Sequence, residues 1–182
     1  MELIDIVDEN NQITGQVEDR MVAYKEGLWR RVVSCWIINE KGELLIQKRS
    51  EKKFRSPGKW AKTGGQVDSG ESPKEAIIRE IKEELGVEIQ KDHVLSEGMI
   101  LKDNEKKLFK YSYIIYMDYK IEDYILQEEE VDKVKYVTIE EVELAKNNNY
   151  PDYIFNSWDA VNFDKEINQL KEIRTQILGK KW

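Results

Sequence analysis

One stretch governs what this chain can fold into: "SPKEAIIREIKEELG", residues 72 to 86. Ser72 is a natural N-cap, Pro73 suits the first turn, and Glu75 completes an S-x-x-E capping box. Gly86 closes the helix in a left-handed conformation. Ile77, Ile78, Ile81 and Leu85 recur at about 100° per residue, so one face of the helix has to be buried. Glu80, Glu83 and Glu84 gather on another face, roughly a third of a turn away. Like charges at that spacing repel and weaken an isolated helix. Such a helix needs a second layer for its apolar seam and a reason to keep its acids.

The rest of the chain supplies the second layer. "ELIDIV" (2–7) is a short strand candidate, followed by the turn "DENNQITG". "RVVSCWIIN" (31–39) is β-branched and aromatic and reads as a buried strand, turned by "EKG" into a hairpin partner at 43–49. A polar loop, "SEKKFRSPGKW", follows with Lys52, Lys53, Arg55 and Lys59. Beyond the helix, 106–119 reads as a long strand, "LQEEEVD" as an acidic loop, and 133–137 as another strand. Thr138 and Glu141 form a second capping box before a short helix. Phe163, Ile167, Leu170, Ile173 and Ile177 keep helical spacing, which predicts a terminal helix at about 162–179 packed on the sheet. Strands and helices mix without strict βαβ alternation, which favours an α+β class with a mixed sheet flanked by helices. The length suits a single domain over 1–182.

Composition narrows the function. The net charge of −7 excludes a broad, sequence-independent grip on nucleic acid, which needs a basic surface. It leaves room for a small phosphorylated ligand held by a local basic cluster. The lone cysteine, Cys35, rules out an intrachain disulfide. With no signal-peptide pattern and no apolar run of spanning length, a soluble cytoplasmic protein is expected, with no membrane partner.

Three carboxylates on one helical patch suit a hard divalent cation, which takes oxygen ligands and shares its sphere with substrate phosphates. A bound cation also relieves their repulsion and neutralises charge on a phosphoryl oxygen. The alternative is a solvated acidic face. Gly64 and Gly65 before the helix let the backbone approach a ligand or take positive φ. Arg79 directly precedes Glu80 and brings a planar fork to fix a neighbouring carboxylate.

These residues carry a resemblance. Gly65, Glu71, Arg79, Glu80, Ile81, Glu83, Glu84, Gly86 and Val87 fill every fixed position of a pattern that resembles the Nudix box, G-x5-E-x7-R-E-U-x-E-E-x-G-U, with U a bulky aliphatic. The resemblance covers roughly residues 1 to 145 and implies the Nudix fold, an α/β/α sandwich with a mixed β-sheet. It implies a hydrolase that cleaves the diphosphate bond of a nucleoside diphosphate linked to X, or of a related organic diphosphate, with Mg²⁺ or Mn²⁺. It assigns Glu80, Glu83, Glu84 and the Gly64 carbonyl to the metal, and Arg79 with Glu71 to orienting that cluster. Glu83 and Glu84 are candidates for handling the attacking water. Glu130, last of the run Glu128–Glu130, is the candidate base from outside the box; a solvated loop is the equal alternative for that run.

The segments "DIVDENNQITG", "GLWRRVVSCWIINEKGELLIQKRS" and "PGKW" resemble the branch of Nudix proteins related to isopentenyl-diphosphate isomerase. That likeness implies that Arg49 and Lys53 hold the diphosphate, with loop solubility as the alternative role. The isomerase's catalytic cysteine falls where this chain has "KTGGQV", and Tyr24 and Arg30 stand where that branch tends to carry histidine. Cys35 reads as a packed core thiol and His93 as a surface residue. Two further readings therefore stand beside the hydrolase: an isomerase-like enzyme, which the missing cysteine opposes, and a non-catalytic ligand-binding or regulatory module, which ordinarily loses some of the glutamates kept here. The expected partner is a small diphosphate-containing substrate, with a homodimer as the candidate assembly. Trp29, Trp36, Trp60, Tyr111, Tyr113 and Tyr116 divide between core and a stacking platform for a base, with core the role for most.

Overall fold

A computed structural model of the chain describes residues 2–96, 99–154 and 160–179. A first hairpin pairs β1 (Leu3–Val7) with β2 (Ile13–Asp19), antiparallel and with a register shift between Asp5 and Val7. Its turn is built by Asp8, whose Oδ1 accepts from the Asn10 and Gln12 amides at 2.8 Å each. The strand therefore resumes at Ile13, inside the segment expected to be turn. A short helix, α1 (Arg20–Glu26), follows, capped by the Asp19 side chain and closed by Gly27 at φ +66°.

The main sheet contains β3 (Arg30–Ile38), β4 (Leu44–Arg49), β5 (Trp60–Ala61), β6 (Thr63–Gln66), β7 (Met99–Asp103), β8 (Leu108–Tyr116) and β9 (Val131–Val137). Its order is β5-β4-β3-β8-β7, with β6 paired to β3 and β9 to β4. β3 and β8 run parallel over Arg30 to Ile38, while every other pair is antiparallel. The sheet is therefore mixed, as the α+β class requires. The long strand expected over 106–119 is shorter, and a tight turn separates it from β7, which the polar flanks "KDNEKK" concealed.

Side-chain alternation on β3 sorts the core into two layers. Val33, Cys35 and Ile37 face α2 (Pro73–Leu85) and meet Ile77, Ile81 and Leu85. Trp36 and Ile38 face the opposite way, toward α3 (Ile139–Asn147) and α4 (Ala160–Gly179), meeting Val142, Phe163, Ile167 and Leu170. Helices thus cover both faces of the sheet, the α/β/α sandwich expected from the resemblance. A small third cluster, Ile4, Ile6 and Ala23, holds α1 to the first hairpin. Among the described residues no helix is long and apolar enough to cross a membrane.

α4 is also fixed by charge. Glu166 Oε2 accepts from Trp36 Nε1 at 2.9 Å and from Lys62 Nζ at 2.8 Å, with both charged side chains over nine-tenths buried. Burial alone would raise the Glu166 carboxyl, but Lys62 and Lys110 beside it hold it down at about 2. A depressed carboxyl stabilises the fold fully above its unfolded value, 4.5, and loses that contribution as pH falls toward 2. Replacing Glu166→Gln leaves a buried ammonium without its counter-charge. Urea unfolding at pH 7 should show a loss of about 3–5 kcal/mol, and the gap from wild type should narrow between pH 4.5 and 2.

Candidate active site

The site is built where α2 crosses β6. The capping box forms as the sequence predicts: Glu75 N–H donates to Ser72 Oγ at 3.3 Å, and Ser72 N–H donates to Glu75 Oε2 at 3.0 Å. Gly86 ends the helix at φ +70°. Burial of Ile77, Ile81 and Leu85 fixes the helix's rotation and aims its acidic face at the β6 edge. Gly64 and Gly65 are needed for space rather than for positive φ. A Cβ on Gly65 would stand 2.0 Å from Glu80 Oε1, and one on Gly64 would stand 2.3 Å from the Val33 carbonyl oxygen. Gly65 lets the Glu80 carboxylate lie directly against the strand, and Gly64 lets β6 lie close against β3.

Arg79 organises the acids. Its Nε and Nη2 donate to the two oxygens of Glu71, each at 3.1 Å, and Nη2 also reaches the Gln66 carbonyl at 3.0 Å. Nη1 donates to Glu80 Oε1 and Glu83 Oε2, both at 3.0 Å. Asp68 Oδ2 lies 3.6 Å from Nε, and the Asp68 amide donates to Glu71 at 3.2 Å. The turn between β6 and α2 is thereby tied to the middle of the helix. Burial works against the Arg79 charge, but Glu71, Glu80 and Asp68 hold the guanidinium above its ordinary value.

Glu80 and Glu84 are both strained by desolvation. Burial lifts Glu80 to about 7 against the pull of Arg79, with Glu83 and Asp68 adding to the rise. Burial lifts Glu84 to about 8; the Gln47 hydrogen bond opposes this, and the charges of Glu80 and Glu130 reinforce it. Gln47 Nε2 donates to Glu84 Oε2 at 2.9 Å, and Thr63 Oγ1 donates to Gln47 Oε1 at 3.0 Å. Neither Gln47 nor Thr63 stands out by motif. A signal existed for Gln47: alternation along "LLIQKR" puts it on the face of Leu45, a polar group at a core position.

The Glu130 loop is clamped to the end of α2. The Gln127 amide donates to the Glu84 carbonyl at 3.2 Å, and the Glu130 and Val131 amides both donate to the Gln127 carbonyl at 2.8 Å. The Ser50 amide donates to the Glu130 carbonyl at 2.9 Å, and Lys53 Nζ pairs with the Glu130 carboxylate. Glu128 and Glu129 are exposed, whereas Glu130 is half-buried and close enough to act on Glu84. Arg49 Nε donates to the Arg55 carbonyl at 3.2 Å. Arg55 in turn stacks on the Tyr24 ring at 3.6 Å, tying the basic loop to α1. Arg79, Glu71, Glu80 and Glu83 thus form one network, Glu84, Glu130 and Lys53 an adjoining one, and Arg49 flanks them.

The remaining candidates lie outside these networks. Cys35 is buried among the α2-facing core residues, and that burial pushes its thiol far above the usual range. His93 is half-buried in a 3₁₀ turn, Lys91–His93. Trp36 and Tyr113 are core; Trp29 packs on Phe109 at 5.0 Å between ring centroids.

The donor chemistry suits a hard cation: carboxylate oxygens on Glu80, Glu83 and Glu84, with the Gly64 carbonyl on the adjoining strand. Among the described residues no three His, Cys, Asp or Glu side chains converge into a ready-made cage. Arg79 draws Glu80 and Glu83 one way, and Gln47 draws Glu84 another. Mg²⁺ does not require such a cage, because it keeps several waters and takes one or two carboxylates plus substrate phosphates. Two carboxylates raised by burial and mutual repulsion are groups that a nearby cation would stabilise.

The chain matches the NUDIX domain over residues 28–158. It is 31% identical, over 94% of its length and 86% of the relative's, to an uncharacterized Nudix hydrolase of Clostridium acetobutylicum. An isopentenyl-diphosphate Delta-isomerase of Streptomyces coelicolor is 40% identical over 86 residues, 47% of this chain and 44% of that one. A crystal structure of a Deinococcus radiodurans protein superposes with a TM-score of 0.67 at 27% identity, covering 82% of this chain and 90% of that one.

Removing the Arg79 guanidinium leaves Glu71 and Glu80 half-buried and unpaired. The Arg79→Met protein should lose about 2 kcal/mol in urea unfolding with EDTA present. Arg79→Lys should recover only part of that loss, because an ammonium cannot fork across Glu71 while reaching Glu80.

Proposed function

The chain belongs to the Nudix family and is a hydrolase of that family, and from this premise we propose that it cleaves the diphosphate bond of a nucleoside diphosphate linked to X, or of a related organic diphosphate, using Mg²⁺ or Mn²⁺. The observation that carries the reading is the Arg79 fork, which gathers Glu71, Glu80 and Glu83 against the glycine strand beside buried Glu84. Glu80, Glu83, Glu84 and the Gly64 carbonyl would hold the cation. When bound there, a divalent cation supplies charge neutralisation at the phosphoryl oxygens and a more acidic water.

The chain's own groups do the rest. Arg79 and Glu71 keep the box carboxylates in place as negative phosphate oxygens arrive. Lys53 and Arg49 bind the diphosphate from the loop side, where an ammonium and a guanidinium offset its charge. Glu130 takes the proton of the attacking water; the pairing of its backbone with Ser50 and Gln127 keeps its carboxylate beside Glu84. An isomerase reaction lacks support from these residues, since the only thiol, Cys35, is a core group and "KTGGQV" carries none. The same reading places a single Nudix domain over 1–182 in the cytoplasm.

With Mg²⁺ and a panel of nucleoside, sugar-nucleotide and prenyl diphosphates, wild type should release a phosphorylated product and Glu83→Gln should be at least ~10²-fold slower. Silence of wild type on the whole panel would sink the proposal. The Gly65→Ala protein probes the geometry, since the new methyl has to displace the Glu80 carboxylate. It should keep a melting temperature within a few degrees of wild type, yet lose about 10²-fold in kcat/KM.

A further inference from the structure

Glu84 differs from its two neighbours in what holds it. Glu80 and Glu83 share the Arg79 guanidinium, a cation. The Glu84 carboxylate is instead bonded to a neutral amide, Gln47, which is itself bonded to a neutral hydroxyl, Thr63. The three residues come from β4, β6 and α2, and all are buried, at 2%, 3% and 4% exposure. Two strand registers bring them together: Gln47 lies opposite Ala61 and Val134, and Thr63 lies opposite Cys35 on the α2 side of the sheet.

We propose that Gln47 and Thr63 are positioning residues that aim the Glu84 carboxylate at the cation, an assignment that rests on the metal-dependent reading above. A glutamine amide has a donor end and an acceptor end of nearly equal size. Thr63 Oγ–H fills the acceptor end, so the donor end, Nε2, faces Glu84. Nε2 engages one carboxylate oxygen, Oε2, which fixes the plane of the group and leaves Oε1 for an ion. A neutral donor suits this task. A lysine or arginine in place of Gln47 would neutralise Glu84 and compete with the incoming cation, whereas an amide orients the carboxylate and leaves its charge available. Groups that orient a metal ligand without touching the metal typically change its affinity 10- to 100-fold when removed.

The test reads metal binding by the free protein, without turnover. Mn²⁺ affinity is measured by electron paramagnetic resonance for wild type, Gln47→Met, Thr63→Val, Thr63→Ser and Glu84→Gln. Gln47→Met should bind Mn²⁺ about tenfold more weakly. Thr63→Val should weaken binding by less, and Thr63→Ser, which restores the hydroxyl, should return it to wild type. Substrate KM at saturating Mn²⁺ should stay at the wild-type value for all of the Gln47 and Thr63 variants, which a general loosening of the fold would not allow. If Gln47→Met and Thr63→Val bind Mn²⁺ as wild type does while Glu84→Gln does not, the positioning role is overturned and the metal site stands. If wild type itself binds no Mn²⁺, the metal site falls and the positioning role falls with it. Should Gln47→Met fail to fold, the contrast between Thr63→Val and Thr63→Ser decides alone: equal affinities overturn the proposal.

Discussion

A single guanidinium, that of Arg79, makes the rest of the site possible. Three glutamates on consecutive positions of one helical face repel one another, and two of them are largely desolvated. Arg79 answers both problems with its five donors: two meet Glu71, one reaches a backbone carbonyl, and the far end is shared by Glu80 and Glu83. A lysine has charge enough for the task but lacks the planar fork. The glycine strand completes the arrangement. Without a side chain at 65 the Glu80 carboxylate lies against β6, and without one at 64 that strand lies close against β3.

Much of this was legible in the sequence because it depends on local rules. The capping box at Ser72 and Glu75, the left-handed Gly86 and the apolar seam of Ile77, Ile81 and Leu85 are fixed by neighbours within a few residues. So is the acidic face, since helical spacing alone puts Glu80, Glu83 and Glu84 together. The strands β3, β4 and β9 were legible from alternation and β-branched content. Resemblance to the Nudix box then supplied Arg79 with Glu71, whose pairing across the turn no spacing argument would have given.

What stayed hidden depends on pairing between distant segments. α1 has a modest apolar content and stands on a hairpin whose turn is set by Asp8, so its periodicity carried little signal. β5 and β6 are too short to show alternation, and glycines in β6 argue against a strand until β3 is known to lie beside it. Gln47 showed only as a polar residue on a core face and Thr63 not at all, because their partners, Glu84 for Gln47 and Gln47 for Thr63, lie on other elements. The Lys62–Glu166 pair was invisible for the same reason, and yet it ties α4 to the sheet.

The parallel pairing of β3 with β8 has a consequence for how the chain is made. Contacts that define the site join residues 37 positions apart, for Gln47 with Glu84, and 77 apart, for Lys53 with Glu130. Closing such wide loops is slow, and a topology rich in them folds late relative to one built from local contacts. A nascent polypeptide that has emerged only as far as the box helix has Glu71, Glu80, Glu83 and Glu84 but neither the strand β8 nor the segment that carries Glu130. The box helix thus emerges with Arg79 already in place to hold its acids, while completion of the sheet by β8 and the arrival of Glu130 wait for residues 108–130.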